Sequence, residues 1–310
     1  MAEIYKSETS LVKTKIYWGG EITDADGDVT ASVSEVVSDN YFTLLATYTA
    51  TKSETDIGTY QITIPESLTL TPKQLRVRWT YFVDGTQASN TQIIDVVTPY
   101  VNLHDVIDEL GLGTDPSDPM HKTYNELVMA ERYARKVIEI YTQQKFYSYD
   151  SSEVAYGSGS DILPLTRKIN SLTSVIANDI VLENMPFEIA ESGFAVRLNR
   201  ANMLDNTVYT ANGMIPPTIN DYSGIFNKDA RYKVTGSFGW TRVPNEVEIA
   251  AIELMKDYFS KDKVWRNKYI KSISTFDWQF DFNSATFSGT GNNYVDQLLL
   301  PYVISKMVLI

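Results

Sequence analysis

Between Leu11 and Val97 apolar and polar residues alternate in short runs separated by turn residues. The runs are Leu11 to Trp18, Val29 to Val37, Phe42 to Thr49, Gly58 to Ile64, Gln74 to Val83 and Thr91 to Val97. Residues two apart in a strand share a face, so Tyr60, Ile62 and Ile64 point one way. In Leu75 to Tyr81 the apolar residues face a core while Arg76, Arg78 and Thr80 face water. No stretch of helical spacing interrupts the series, which predicts an antiparallel β-sandwich over residues 1–98. Asp84-Gly85 tolerates positive φ and predicts a hairpin joining the fifth run to the sixth.

Thr98-Pro99-Tyr100 closes that domain, because proline cannot donate in a sheet interior and biases its predecessor away from helix. Beyond it the period changes. Asn102, Asp105 and Asp108 favour the start of a short helix over 102–110, which Gly111 ends. Asp118-Pro119 opens a long helix over 119–144, with Thr123-x-x-Glu126 as a second capping box. Leu127, Ala130, Ala134, Val137, Ile138 and Tyr141 form its apolar stripe, and Met129, Tyr133 and Ile140 widen it. A stripe so broad is expected to be buried on more than one side, in its own core or against a neighbouring subunit. Residues 146–240 return to β-type patterning, with turns at Gly157 to Ser160, Asn178-Asp179, Ser192-Gly193, Asn212-Gly213 and Ser223-Gly224. Pro244 suits the first position of a helix over 244–262 carrying Val247, Ala250, Ala251, Leu254 and Tyr258. The fold class expected is α+β: the sandwich at 1–98, a helical domain with a β-rich insertion at 99–264, and an extended C-terminal arm at 265–310.

At roughly 150 residues per domain, 310 residues suit about two domains, and 43% apolar residues suffice for two cores. Lys and Arg number 27 against 39 Asp and Glu, a net charge of -12, so the basic surface of a phosphate-clamping nucleic-acid binder is not expected. Cysteine is absent, which removes disulfides, thiolate metal sites and a cysteine nucleophile. No leader-like apolar segment opens the chain, and its longest apolar run, Leu298 to Ile304, is too short to span a bilayer. A soluble protein without membrane partner is expected.

Candidate chemistry is sparse. Asp24-Ala-Asp26-Gly-Asp28 has the carboxylate spacing of a calcium loop, with Glu35 at the twelfth position, yet Val29 stands where that loop needs glycine. A solvated hairpin tip competes with a bound cation there. Gly157-Ser-Gly-Ser160 lacks the remainder of a nucleotide loop, and no Gly-x-Ser-x-Gly elbow or His-Glu-x-x-His helix occurs. His104 and His121 have no second ligand at helical or hairpin spacing. Asp277 and Asp281 are paired carboxylates that composition alone accounts for. No catalytic residue, metal site or cofactor is expected, and the chain reads as no enzyme.

Two features point to partners instead. Lys256, Lys261, Lys263, Arg266, Lys268 and Lys271 form a basic run interleaved with Trp265, Tyr269, Phe276, Trp278, Phe280 and Phe282. It reads either as a solvated helix end or as a protein contact. The apolar end, Leu298 to Ile304 and Met307 to Ile310, follows a flexible Gly-Thr-Gly break and needs burial, in the same chain or in another subunit.

The passage Tyr232-x-Val234-x-Gly236-x-x-Gly239-Trp240, followed by Val243-Pro244 and a helix, resembles the signature of phage head-tail connector adaptors, the HK97-type head-completion family. Gly289, Gly291, Asp296, Leu298, Leu299 and Tyr302 resemble the Gly, Asp, Leu-Leu and Tyr pattern of that family's arm. The likeness spans roughly residues 100–310. Asp56, Gly58 and Tyr60 resemble the turn and tyrosine of immunoglobulin-like strands, so the N-terminal sandwich is expected to be Ig-like. The family resemblance implies a structural virion protein at the neck, assembled in the host cytoplasm. Twelve copies would form a ring beneath the portal protein, touching tail or neck proteins, with genome DNA passing through without sequence-specific contact. The arm, including Trp265, Tyr269, Trp278 and Phe280, would dock on the portal or a neighbouring subunit. The competing expectation is a tail or fibre module whose sandwich recognises host glycan.

Overall fold

A computed structural model describes residues 2–38, 41–113, 115–118, 120–177, 180–182, 187–198, 219–220, 225–260, 272–274, 279–281 and 289–304. The fold is mixed α+β and strand-rich, with several sheets, and the chain divides into two compact units, Met1–Thr98 and Pro99–Ile310.

The first unit contains β1 (Ala2–Tyr5), β2 (Ser10–Lys15), β3 (Tyr17–Trp18), β4 (Glu21–Ile22), β5 (Thr30–Ser38), β6 (Tyr41–Thr49), β7 (Thr51–Lys52), β8 (Thr59–Ile64), β9 (Gln74–Val83) and β10 (Thr86–Val97). One sheet runs β1-β10-β9-β5-β6 and another β2-β8-β7. Val12, Tyr60, Ile62 and Ile64 of the second share a core with Val33, Leu75, Val77 and Trp79 of the first. The β9–β10 hairpin turns at Asp84 and Gly85, both at positive φ, and pairs Val83 with Thr86. The sixth run thus begins five residues before Thr91, because Gln87 to Asn90 continue the ladder in spite of their polarity. The first run is interrupted. Ile16 is buried, its N–H donates to the Gly58 carbonyl (2.9 Å) and its own carbonyl accepts from Thr23 (3.2 Å), which turns β3 and β4 into a separate short hairpin. β1 was not foreseen: it pairs in parallel with β10, a long-range match that four residues do not announce.

The second unit begins with α1 (Val106–Glu109), shorter than the expected 102–110, and α2 (Tyr124–Thr142). α2 starts at the second of its two candidate caps. Asp118 sits in a turn, whereas Thr123 accepts from the Glu126 N–H (3.3 Å) and Glu126 accepts from the Thr123 N–H (2.9 Å). The insertion supplies β11 (Tyr149–Tyr156), β12 (Ile162–Pro164), β13 (Ile169–Ala177), β14 (Ile180–Val181), β15 (Phe187–Ile189), β16 (Ala195–Leu198), β17 (Ile219–Asn220), β18 (Ile225–Phe226) and β19 (Arg231–Phe238). Seven of them form sheets in the orders β11-β19-β13-β14 and β12-β16-β15 and β17 pairs with β18, with a common core of Ala155, Leu163, Ile169, Val175, Val196, Phe226, Tyr232 and Val234. Gly159 and Gly193 occupy expected turns at positive φ, while the turns expected at 178–179, 212–213 and 223–224 lie wholly or mainly outside the described residues.

α3 (Asn245–Phe259) packs along α2, burying Val247, Ala250, Ala251 and Leu254 as Leu127, Ala130, Ala134 and Ile138 are buried opposite. Pro244 is the cap preceding this helix, not its first residue: its extended φ/ψ presents a carbonyl that Val247 and Glu248 donate to. β20 (Ser272–Ser274) and β21 (Gln279–Asp281) form a hairpin, and α4 (Asn293–Leu299) runs into a tight turn at Leu300–Tyr302.

Replacing Thr123 by Ala removes one capping acceptor at the start of α2. Urea unfolding of the second unit is expected to show a loss of about 1 kcal/mol, with an unchanged midpoint counting against the cap.

Candidate functional site

The Tyr232 to Pro244 passage forms a strand, a turn and a helix start, each residue type having a steric reason. β19 lies between β11 and β13, so Tyr232, Val234 and Phe238 are buried on one face. Gly236 lies against β13 where the register shifts, and a Cβ there would come 2.1 Å from the Ser171 carbonyl oxygen. Gly239 has φ +91°, and a Cβ would meet the Tyr147 carbonyl oxygen at 2.1 Å. The chain therefore leaves the sheet at a point that only glycine fits. Val243 is half-buried ahead of the Pro244 cap.

That exit delivers Trp240 into an aromatic junction. Its ring lies 5.7 Å from Phe146 and 5.4 Å from Tyr302, and Phe146 and Tyr302 meet edge to face at 5.4 Å. Lys168 Nζ stands 3.5 Å from the centre of the Trp240 ring, and the indole N–H donates to Gln144 (3.3 Å). Gln144 in turn donates through its side-chain amide to the Tyr302 carbonyl. The Tyr302 hydroxyl donates to Glu246 (2.9 Å), and the Ile304 N–H reaches the Thr142 carbonyl (3.3 Å).

This placement corrects the reading of residues 289–304 as part of an extended arm. Asn292 caps α4 by accepting from Tyr294 and Val295, and its amide donates to Asp257 of α3 (3.1 Å). Asp296 accepts from the Thr290 N–H (2.8 Å) and hydroxyl (2.7 Å). Its carboxylate fills the space beside Gly289, where a Cβ would come 1.9 Å from oxygen, and Gly291 turns at φ +89°. Val295 and Leu299 are fully buried, Leu298 is half-buried, and α4 packs on α3. The Gly, Asp, Leu-Leu and Tyr pattern thus builds a capped helix docked on its own unit, so Leu299 is not free for a partner. Of the two recipients that the sequence leaves open, Leu299 takes its own unit, while Leu300 stays exposed and Met307 to Ile310 lie outside the described residues. Trp265, Tyr269, Trp278 and the other members of the basic and aromatic run from 261 to 271 lie outside the described residues, as do Asp277, Phe276 and Phe282. Phe280 and Asp281 lie in β21. Lys256 pairs with Glu253 (2.8 Å).

Sequence inspection missed a buried polar network at the entrance to the unit. The Tyr100 N–H donates to Glu131 (3.0 Å), Arg135 pairs with Glu131 (3.2 Å) and stands 3.7 Å from Glu139, and the Tyr100 hydroxyl donates to Glu139 (3.2 Å). Burial, reinforced by Glu139, pushes the Tyr100 hydroxyl well above its usual range. Spacings of four along a helix signal a solvated ladder equally well, so the sequence held no sign of burial.

Of the carboxylates at 24–28, Asp24 and Asp26 have structural partners. Asp24 accepts from Lys52 (2.7 Å) and the Gly58 N–H (2.8 Å), contacts that hold its carboxyl below the usual range, and Asp26 accepts from the Gly85 N–H (3.1 Å). Among the described residues no group of three or more His, Cys, Asp or Glu is placed to hold a metal ion. His104 stacks on Tyr124 at 6.0 Å, and His121 contacts the Gly113 carbonyl at 3.0 Å.

The surface carries the remaining signal. α2 buries its inner stripe but leaves Met129 53%, Tyr133 41% and Ile140 70% exposed, and Tyr258 of α3 lies 5.5 Å from Tyr133 with 46% exposure. No protein-family model matches the chain, and no curated protein matches it either.

Tyr302 supplies a pH test. Burial and the Glu246 carboxylate raise its hydroxyl to about 12 from an ordinary value of 10.0. The folded state therefore favours the protonated phenol; its contribution is complete below pH 10 and is lost as pH rises through about 12. NMR titration of Cζ-labelled tyrosines, with Tyr302→Phe to assign the signal, is expected to show that late midpoint. Glu246→Gln is expected to bring it back toward 10, and a midpoint of 10 in the parent protein would refute the contact.

Proposed function

We propose that the chain is a structural virion protein, a head-to-tail connector adaptor. Its second unit assembles as a ring beneath the portal, and its first is an Ig-like sandwich. The observation that carries the reading is the outward face of α2. Met129, Tyr133, Ile140 and the neighbouring Tyr258 keep large apolar side chains in water on a helix whose opposite face is already buried. A patch of this kind on a polar-rimmed surface marks a protein contact. The likeness of Tyr232 to Pro244 to the connector signature supports the same reading, since Gly236, Gly239, Trp240 and Pro244 of that signature each shape the β19-to-α3 exit. A net charge of -12 suits a ring through which DNA slides without sticking.

The docked C-terminal helix changes the proposal in one respect. Residues 289–304 serve as a brace for α3 within the unit, so subunit contact rests on the α2 face and portal contact on other parts of the chain. Light scattering of the purified protein is the test: twelve copies of a 35.0 kDa chain give about 420 kDa. A mass of one chain at every concentration, alone and with portal protein added, would sink the reading.

The glycan-binding alternative draws on one observation in the first unit. The β3–β4 hairpin leaves Tyr17, Trp18 and Ile22 exposed, and aromatic faces of this kind stack on sugar rings. If that reading holds, the full chain binds a glycan array and Trp18→Ala weakens binding at least tenfold, whereas an array without signal removes it.

A further inference from the structure

Resting on the ring reading above, we infer that neighbouring copies join through two unlike faces of the second unit. The α2 face of one copy, Met129, Tyr133, Ile140 and Tyr258, receives the outward face of β11 and β19 of the next.

The second face follows from strand register. Val154 and Tyr156 of β11 are 41% and 61% exposed, on the side opposite the buried Glu153 and Ala155. Cross-strand pairing sets Tyr156 beside Arg231 and Val154 beside Lys233, both cations exposed, and Ile176 of β13 flanks Lys233 on the other side. β11 is also the outer strand of its sheet among the described residues. The result is a tyrosine and two aliphatic side chains laced with two cations, on a protein whose surplus charge is negative.

Area fits a second copy as occupant. The exposed parts of Met129, Tyr133, Ile140 and Tyr258 amount to on the order of 400 Å² of apolar surface. One side of a standard protein interface buries roughly 800 Å², a little over half of it apolar, or roughly 450 Å². The α2 face therefore carries about the apolar share that one stable contact needs.

Chemistry favours unlike pairing. Two β11–β19 faces set against each other would bring Arg231 and Lys233 onto their own copies. Against the α2 face the same cations meet the rings of Tyr133 and Tyr258, an attractive arrangement. Lys136, the one charged residue of the α2 strip Met129, Tyr133, Lys136 and Ile140, is paired with Glu139 (3.7 Å), so the strip sets no unpaired charge against Arg231 and Lys233. Self-pairing of one face stops at a dimer, while joining two unlike faces of a copy leaves one of each open and continues to a closed ring.

Two blocked variants of the full chain test this by mixing. Tyr133→Asp with Ile140→Asp blocks the first face, and Tyr156→Asp with Lys233→Glu blocks the second; Tyr133→Ser and Tyr156→Ser replace them if circular dichroism shows unfolding. Each variant alone is expected to stay at 35.0 kDa by light scattering, and an equimolar mixture to form dimers of about 70 kDa, since each mixed pair keeps one intact junction. Assembly of the variant blocked at β11–β19 while the other stays monomeric would mean that α2 pairs with itself. Assembly of both as in the parent would put the interface elsewhere. Either result overturns the inference, and the ring is then decided by the mass of the parent protein; a parent that never assembles overturns both.

Discussion

The second unit depends on the meeting of Phe146, Trp240 and Tyr302. These residues belong to the segment between α2 and β11, the exit of β19 and the C-terminal turn, segments far apart in sequence. An aromatic pair contributes about 0.5–1.5 kcal/mol beyond its area burial, so three such pairs offset part of the entropy of closing the intervening loops. Gly239 makes the meeting possible, because any side chain there would strike the Tyr147 carbonyl and hold Trp240 off Phe146. Gln144 then couples the two partners by accepting from Trp240 and donating to the Tyr302 carbonyl.

A second constraint holds the chain where it enters the unit. Glu131, Arg135 and Glu139 bring charge into a region shielded from water, which is tolerable only because each meets an opposite charge or a Tyr100 group. The network fixes Tyr100 on α2, and the Phe146 N–H donates to the same tyrosine hydroxyl (3.0 Å), tying it to the aromatic junction. Polar network and aromatic cluster thus act as one block, from which α2, α3 and the β11–β19 sheet take their mutual placement.

Against this core, the unit's outward apolar residues stand out as a property of the surface. α2 is amphipathic twice over, with one stripe facing α3 and another facing water. The proposal that the chain assembles grows from that contrast, and its proposed class rests on the resemblance of the strand-to-helix passage to connector adaptors.

Much of this was legible in the residues alone. Period-two runs located most strands of the first unit, Pro99 fell at the boundary between the two units, Thr123 with Glu126 supplied the cap that α2 uses, and Asp84-Gly85 set the β9–β10 turn. Such features are local: they follow from dihedral preferences and side-chain spacing within a few residues. What sequence could not decide were pairings at long range, where several outcomes share one local pattern. Parallel β1, the burial of Glu131 and Arg135, the employment of Asp24 and Asp26 as hydrogen-bond acceptors, and the return of Leu299 and Tyr302 to their own unit all belong here. An apolar tail says only that it must leave water. Whether it shelters in its own chain depends on a complementary surface, and that surface exists only once α2, α3 and Trp240 have been brought together.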